Sequence, residues 1–254
     1  MRHKTGIHLV VMGVLLWAGS VAAVEKAPLV IFDQGHNQRF VVEEKGDLHL
    51  SRLADAIREQ GALVASTKKP LSDDALKDAS ALIISGPFEA LKPEEVEAVA
   101  RFIEGGGRLS AMIHIGSPLA GLLARFDLDV SNAVLHERKN IIDTDGNFRV
   151  TNLAASPLFA GLTHFSLYGG WALDPGKSAK SLAQTSSEAW ADLDANRVLS
   201  KGDVIGTFNV VVSGSLGTGS FVVFSDDAIF QNRYLDENNS RLAANLAGWL
   251  SGRR

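Results

Sequence analysis

Cysteine is missing from all 254 residues. That absence excludes a disulfide framework, a thiol nucleophile and a lipid anchor on a modified cysteine. Basic charge is in deficit: 25 Lys+Arg stand against 29 Asp+Glu, for a net charge of −4. A mildly acidic surface is a poor footprint for nucleic acid or anionic lipid, so neither is an expected partner. Aromatics are only 7% of the chain, and it has no internal repeat, low-complexity tract or long linker. No apolar run approaches the roughly 20 residues that a membrane-spanning helix needs.

What is present begins with Met1 to Ala23. Arg2 and Lys4 precede an apolar run from Leu9 to Ala18, followed by Gly19, Ser20, Val21, Ala22 and Ala23. That order is the pattern of an export signal, and retention as an N-terminal anchor is the alternative. Removing it takes two basic residues and no acidic ones, which deepens the net charge to about −6. No membrane span is expected beyond this segment. Residues 24–254 are expected to form one domain, periplasmic or extracellular, with one sizeable core.

From Leu29 onward, short apolar strands alternate with helical patterns, the signature of β-α-β units. Leu29 to Asp33 is an unbroken apolar strand. A helix is predicted from Leu48 to Gln60, with Leu50, Leu53, Ala54 and Ile57 on one stripe. Strand Ala62 to Ser66, a short helix opening near Ser72, and strand Ala81 to Ser85 follow. Pro93 then opens a helix with Val96, Val99, Ala100 and Ile103 at helical spacing, stopped by Gly105 to Gly107. Strand Arg108 to His114 and a helix from Leu119 to Phe126 complete this half.

Between about 128 and 202 the pattern weakens into short alternating runs, Val134 to His136, Phe148 to Val150, Thr163 to Tyr168 and Ala179 to Thr185. These read as antiparallel strands added at one edge. Asp203 to Ser213 and Ser220 to Ser225 read as a hairpin closed by Gly214 to Gly219. That glycine-rich stretch lacks the lysine of a phosphate loop and precedes a strand. A last helix is predicted with Asn238 or Asn239 as cap and Gly252 as stop. The expected class is α/β, a doubly wound, mostly parallel sheet with antiparallel strands at one edge.

Four segments carry a family resemblance: LVIFDQGHNQRF, LIISGPFEALKPEEVEAVARFIEGGGRL, SPLFAGL and GSFVVFSDDAIFQNRYLDENNSRLAANLAGWL. Together they resemble the class I glutamine amidotransferase-like superfamily, in its non-enzymatic branch of GldG-type domains of ABC-transporter accessory proteins and the related GIFT domain of intraflagellar transport. The resemblance implies a flavodoxin-like fold and an accessory role beside a transport or assembly system. The enzymes of that superfamily use a cysteine after a strand; the comparable stretch here is His114-Ile115-Gly116-Ser117-Pro118. Ser117 could supply an oxygen nucleophile, but a nucleophile elbow needs small neighbours and Pro118 denies it one.

Ligands of open α/β sheets bind outside the carboxyl ends of the strands. That rule gathers Asp33, Gln34, His36, Asn37 and Arg39 after the first strand, Ser85 after the third, His114 and Ser117 after the fourth, and Asp226, Asp227 and Asn232 after the last. The cluster from Asp33 to Arg39 packs acceptors, donors and an imidazole into seven residues. The plainer account is that Asp33 and Asn37 bond the loop's own backbone. A divalent metal would draw on Asp33, His36, His114 and Asp226, yet no paired-histidine motif supports one, and no cofactor is expected. Tyr168-Gly169-Gly170-Trp171 places two aromatics beside flexible glycines, where they could stack on a sugar.

These features lead first to an exported, non-catalytic binding or accessory module of the cell envelope. Its partner would be an envelope protein or a small polar ligand such as a saccharide. The alternative is a periplasmic hydrolase with His36 or His114 as general base, oriented by Asp226 or assisted by a metal. A third expectation, a structural assembly domain, predicts an exposed apolar patch.

Overall fold

The structure, a computed structural model, describes residues 26–252. The predicted export signal at residues 1–23 lies outside the described residues. The first half runs β1 (Leu29–Asp33), α1 (Ser51–Glu59), β2 (Leu63–Thr67), α2 (Asp73–Leu76), β3 (Ala81–Ser85), α3 (Pro93–Glu104), β4 (Arg108–Met112) and α4 (Ala120–Arg125). The second half runs β5 (Leu128–His136), β6 (Asn147–Val150), β7 (Asn152–Leu153), β8 (Phe165–Tyr168), β9 (Trp171–Pro175) and β10 (Ala179–Gln184). It ends with β11 (Trp190–Asp192), β12 (Val204–Ile205), β13 (Asn209–Leu216), β14 (Gly219–Phe224) and α5 (Glu237–Leu250).

Among the described residues, twelve strands join one mixed sheet, with the path β12-β11-β5-β9-β13-β14-β4-β3-β1-β2 and with β10 and β7 branching from β13. The expectation of a doubly wound, mostly parallel sheet is therefore corrected. Four strand pairings in this sheet are parallel and seven are antiparallel. The cause lies in strand length and exposure. The nearly fully buried apolar runs belong to the parallel strands β1, β3 and β4 and dominate the sequence pattern. Of the antiparallel strands, β5 and β13 are longer but only partly buried and β11 and β12 are very short, yet together they make up more than a fringe. Moreover β6 and β8 do not join this sheet at all; they pair with each other in a sheet of two strands.

Side chains of the parallel strands alternate between two cores. Val30, Phe32, Ile83, Met112 and Phe224 face α1 and α5, where Leu53, Ile57, Leu242 and Leu246 are fully buried. Ile31, Leu82, Ile84, Leu109 and Val223 face the side of α3 and α4, against Val99, Ile103, Leu122 and Leu123. Truncating one such leucine or isoleucine to alanine costs about 2–5 kcal/mol.

Helix ends show which local signals were sufficient. Ser72 caps α2 by accepting from the Ala75 N–H, as its type favours. For α5 the cap is Asp236, which accepts from the Asn239 N–H at 2.8 Å, and the expected Asn239 is buried beyond it. The Asn239 side chain instead bonds Ser166 N and O and Ile229 O, stitching the helix to β8. The final hairpin turns tightly on Gly217 and Thr218, with Leu216 opposite Gly219, so the strands run through most of the stretch expected as loop. Gly217 has φ +59°, and a Cβ there would lie 2.5 Å from the Glu104 carbonyl oxygen. Val204 and Ile205 form a separate edge strand, β12, and are exposed with Leu193, Val198 and Leu199. No helix among the described residues is long and apolar enough to cross a membrane.

Candidate functional site

The carboxyl ends of β1, β3, β4 and β14 lie side by side in the sheet, and the turns leaving them meet around His114. Its Nδ1 pairs with Asp227 Oδ1 at 3.0 Å, while 34% of the side chain remains exposed. The ring of Phe40 meets the imidazole edge-on at 5.3 Å and that of Phe88 lies tilted at 5.1 Å. Trp171 Nε1 donates to the His114 carbonyl at 3.2 Å, which draws the indole to the same rim. Arg39 is exposed and lays its guanidinium over Phe88, 4.4 Å from the ring centre.

Asp227 is 1% exposed, and its Oδ2 makes no hydrogen bond among the described residues. This oxygen sits where a Cβ on residue 86 would come within 2.3 Å, so Gly86, at φ +52°, is required twice over. Asp226 beside it is buried too, with Oδ2 accepting from Tyr168 N at 2.7 Å and Oδ1 from Ala228 N at 2.9 Å. Burial, then the neighbouring Asp227, pushes the Asp226 carboxyl up to about 8. Burial likewise raises Asp227. The hydrogen bond from Asp227 raises His114 against the opposing effect of burial. The pair thus presents an imidazole whose Nδ1 is held by a carboxylate and whose Nε2 has no hydrogen-bond partner among the described residues.

A second histidine cluster lies beneath the β1 turn. His36 Nδ1 pairs with Asp33 Oδ2 at 2.7 Å and Nε2 with Glu95 Oε1 at 3.3 Å, all three groups being buried. Asp33 also accepts from Gly35 N and the Gln38 amide, and Glu95 from the N–H groups of Leu71 and Lys92. Burial alone would lower His36, but the bonds and charges of Asp33 and Glu95 outweigh it and the pKa is raised. Every polar partner here is internal, so the cluster fastens the β1 turn to the start of α3.

The expected constellation therefore divides. Asp33 and His36 belong to the buried fastening, and Gln34 turns away to Glu43 at 3.0 Å. Asn37 is exposed in the left-handed region at φ +56°, where Asn is favoured for its backbone. Ser85 is buried, and its hydroxyl has no hydrogen-bond partner among the described residues. Ser117 is exposed at the start of a 3₁₀ turn and makes no hydrogen bond to His114 among the described residues. Asn232 caps α1 from afar: its Oδ1 accepts from Arg52 N at 2.9 Å and its Nδ2 donates to Gly46 O and Ser51 Oγ. Asp227, not Asp226, orients His114. Phe40, Phe88 and Glu95 were missed, although Phe88 stands within the motif Ser85-Gly86-Pro87-Phe88 that closes β3.

Asp33, His36, His114 and Asp226 do not converge on one metal position. Among the described residues the group with carboxylate oxygens within 4.8 Å of one another is Asp192, Asp194 and Asp203. Those oxygens already accept from the backbone N–H groups of Leu193, Asn196, Arg197 and Ser200, which close that loop from within.

A family described as a domain of unknown function (DUF4350) matches residues 50–247. No curated protein matches the chain. The mmIFT52 N-terminal domain is similar in structure, with a TM-score of 0.70 at 16% identity over 87% of this chain and 97% of that one. The cytoplasmic protein STM1381 of Salmonella typhimurium LT2 gives a TM-score of 0.57 at 12% identity over 88% and 99%. Agd3, a carbohydrate deacetylase, gives 0.54 at 9% identity over 89% of this chain and 32% of that one. At these identities the likeness is one of fold. None of them bears specifically on an amidotransferase-like or GldG-type relation.

Proposed function

Since the chain belongs to the DUF4350 family, whose function is unknown, its role has to be read from its own site, and we propose that it is an exported, non-catalytic binding module of the cell envelope whose carboxyl edge takes a small polar ligand such as a saccharide. The observation that carries this reading is His114, fixed by Asp227, walled by Phe40 and Phe88, and a third exposed, with no hydroxyl hydrogen-bonded to it among the described residues. Aromatic walls around one oriented polar group suit recognition of sugars and other amphipathic polar molecules. The pattern of Met1 to Ala23 supports export, and the resemblance to GldG-type domains supports an accessory role beside a transport system. The naming of Agd3 as a carbohydrate deacetylase puts saccharides first among ligands to test.

Calorimetric titration against an oligosaccharide panel should find a ligand whose affinity falls at least tenfold in His114→Ala, with the melting temperature little changed. Retained affinity in that variant would remove His114 from the site. Fractionation of cells making the full chain should find it outside the cytoplasm.

A second reading, a hydrolase, draws on the same pair, because an imidazole held by a buried carboxylate can act as general base towards water. It requires turnover of ester or glycoside model substrates that is lost in both His114→Ala and Asp227→Asn.

A further inference from the structure

We propose that the ligand of this edge carries an anionic oxygen group, a carboxylate borne by a saccharide, gripped between the imidazole of His114 and the guanidinium of Arg39. The inference rests on the binding-module reading and names the chemistry of its ligand. Phe88 is the common floor, with Arg39 4.4 Å from its centre on one side and the His114 ring centred 5.1 Å away. Arg39 forms no ion pair among the described residues. Its charge is felt at the imidazole as the weakest of several influences, and the hydrogen bond with Asp227 keeps the His114 pKa raised. Two cation-forming groups thus pack against one ring, and only one of them, His114, has an acidic partner among the described residues. An anion within reach of both would take charge-assisted bonds from each.

The surroundings favour this ligand over a bare ion. Asp227 occupies Nδ1, so the nitrogen turned outward is Nε2, a donor when the ring is protonated. Asp226, the other acid close by, is fully buried and has both oxygens committed to backbone N–H groups, so it presents no carboxylate face to a ligand. Phe40, half-buried beside the imidazole, adds apolar surface that a free inorganic ion cannot use, whereas the C–H face of a sugar ring can. A planar guanidinium also matches a planar carboxylate in two-point contact. The molecule as a whole is acidic, with a net charge of −4, so this local pair is a deliberate target for an acid and not part of a general basic surface.

The test uses the exported chain and two immobilised probes: oligogalacturonate and its fully methyl-esterified, neutral counterpart. The acid form should bind at least tenfold tighter at pH 6, and Arg39→Gln and His114→Gln should each weaken it about ten- to hundredfold, the size of one charge-assisted bond. Both variants should unfold within a few degrees of the wild type, since neither side chain lies in a core. Arg39→Lys should recover only part of the loss. Equal binding of the two probes, insensitive to Arg39→Gln, would overturn the anionic claim and leave the saccharide reading standing. Binding of neither probe, together with silence across the neutral panel, would overturn both.

Discussion

Two histidines of this molecule sit in nearly the same chemistry and in opposite circumstances. His36 bonds a carboxylate through each ring nitrogen and is sealed from water. His114 bonds one carboxylate, and a third of its side chain is open. The difference lies in what is left unsatisfied. Around His36 the donors and acceptors are used internally, so the charge serves to lock a turn. Around His114, Nε2 and one buried oxygen of Asp227 remain unengaged among the described residues, and such residual capacity is what a site has to offer. A histidine among acids is thus not by itself a sign of function.

The largest expected effect breaks the comparison on the buried side. His36→Ala leaves Asp33 and Glu95 facing one another without their shared cation, and should cost about 3–5 kcal/mol in urea denaturation at pH 6. His114→Ala removes a side chain that is a third exposed and leaves the buried Asp227, whose raised pKa lets it take up a proton, so it should cost less, about 1–3 kcal/mol, while removing binding. Equal losses would erase the distinction.

Next comes Asn232, which sequence position alone groups with the site. Asn232→Ala should destabilise by about 1–3 kcal/mol, because it strips the cap of α1 and leaves buried groups unpaired, with ligand affinity unaltered. A loss of affinity greater than the loss of stability would return it to the site.

A subtler test follows from pH. Asp226 gives up its proton near 3.8 in the unfolded chain and near 8 in the folded one. The folded state therefore holds the proton more tightly, and stability declines as pH climbs from about 4 to about 8. His36 adds to this: its raised pKa contributes stability below its ordinary value of 6.5 that is lost as pH rises through the folded value. Urea midpoints should fall between pH 6 and pH 9, and Asp226→Asn should flatten that slope. An unchanged slope would mean Asp226 is ionised throughout. The smallest effect concerns Ser110, fully buried on β4 with a hydroxyl that finds no partner among the described residues. Ser110→Ala should be neutral or stabilise by up to about 1 kcal/mol.

The legible parts of this fold were those written locally. β3 and α3 begin where an apolar run and a first-turn proline place them. The large antiparallel share was not legible, because β9 and β10 alternate imperfectly and β11 and β12 have too few residues to show a period. At the site, the turns after the strands were readable as a group. Which of two adjacent acids reaches His114 depends on the rotation of the backbone after β14, and alternation stops there. Asn232 was misread for a different reason: the helix it caps lies 180 residues away in sequence.

Gly86 carries a consequence for reading other chains of this family. The space its missing side chain leaves is filled by Asp227 Oδ2 and the Cβ of His114. A relative with any larger residue at that position would have to rearrange or discard the histidine-aspartate pair. Residue 86 therefore serves as a one-letter diagnostic: chains that keep glycine there can share this chemistry, and those that do not have given the edge to some other purpose.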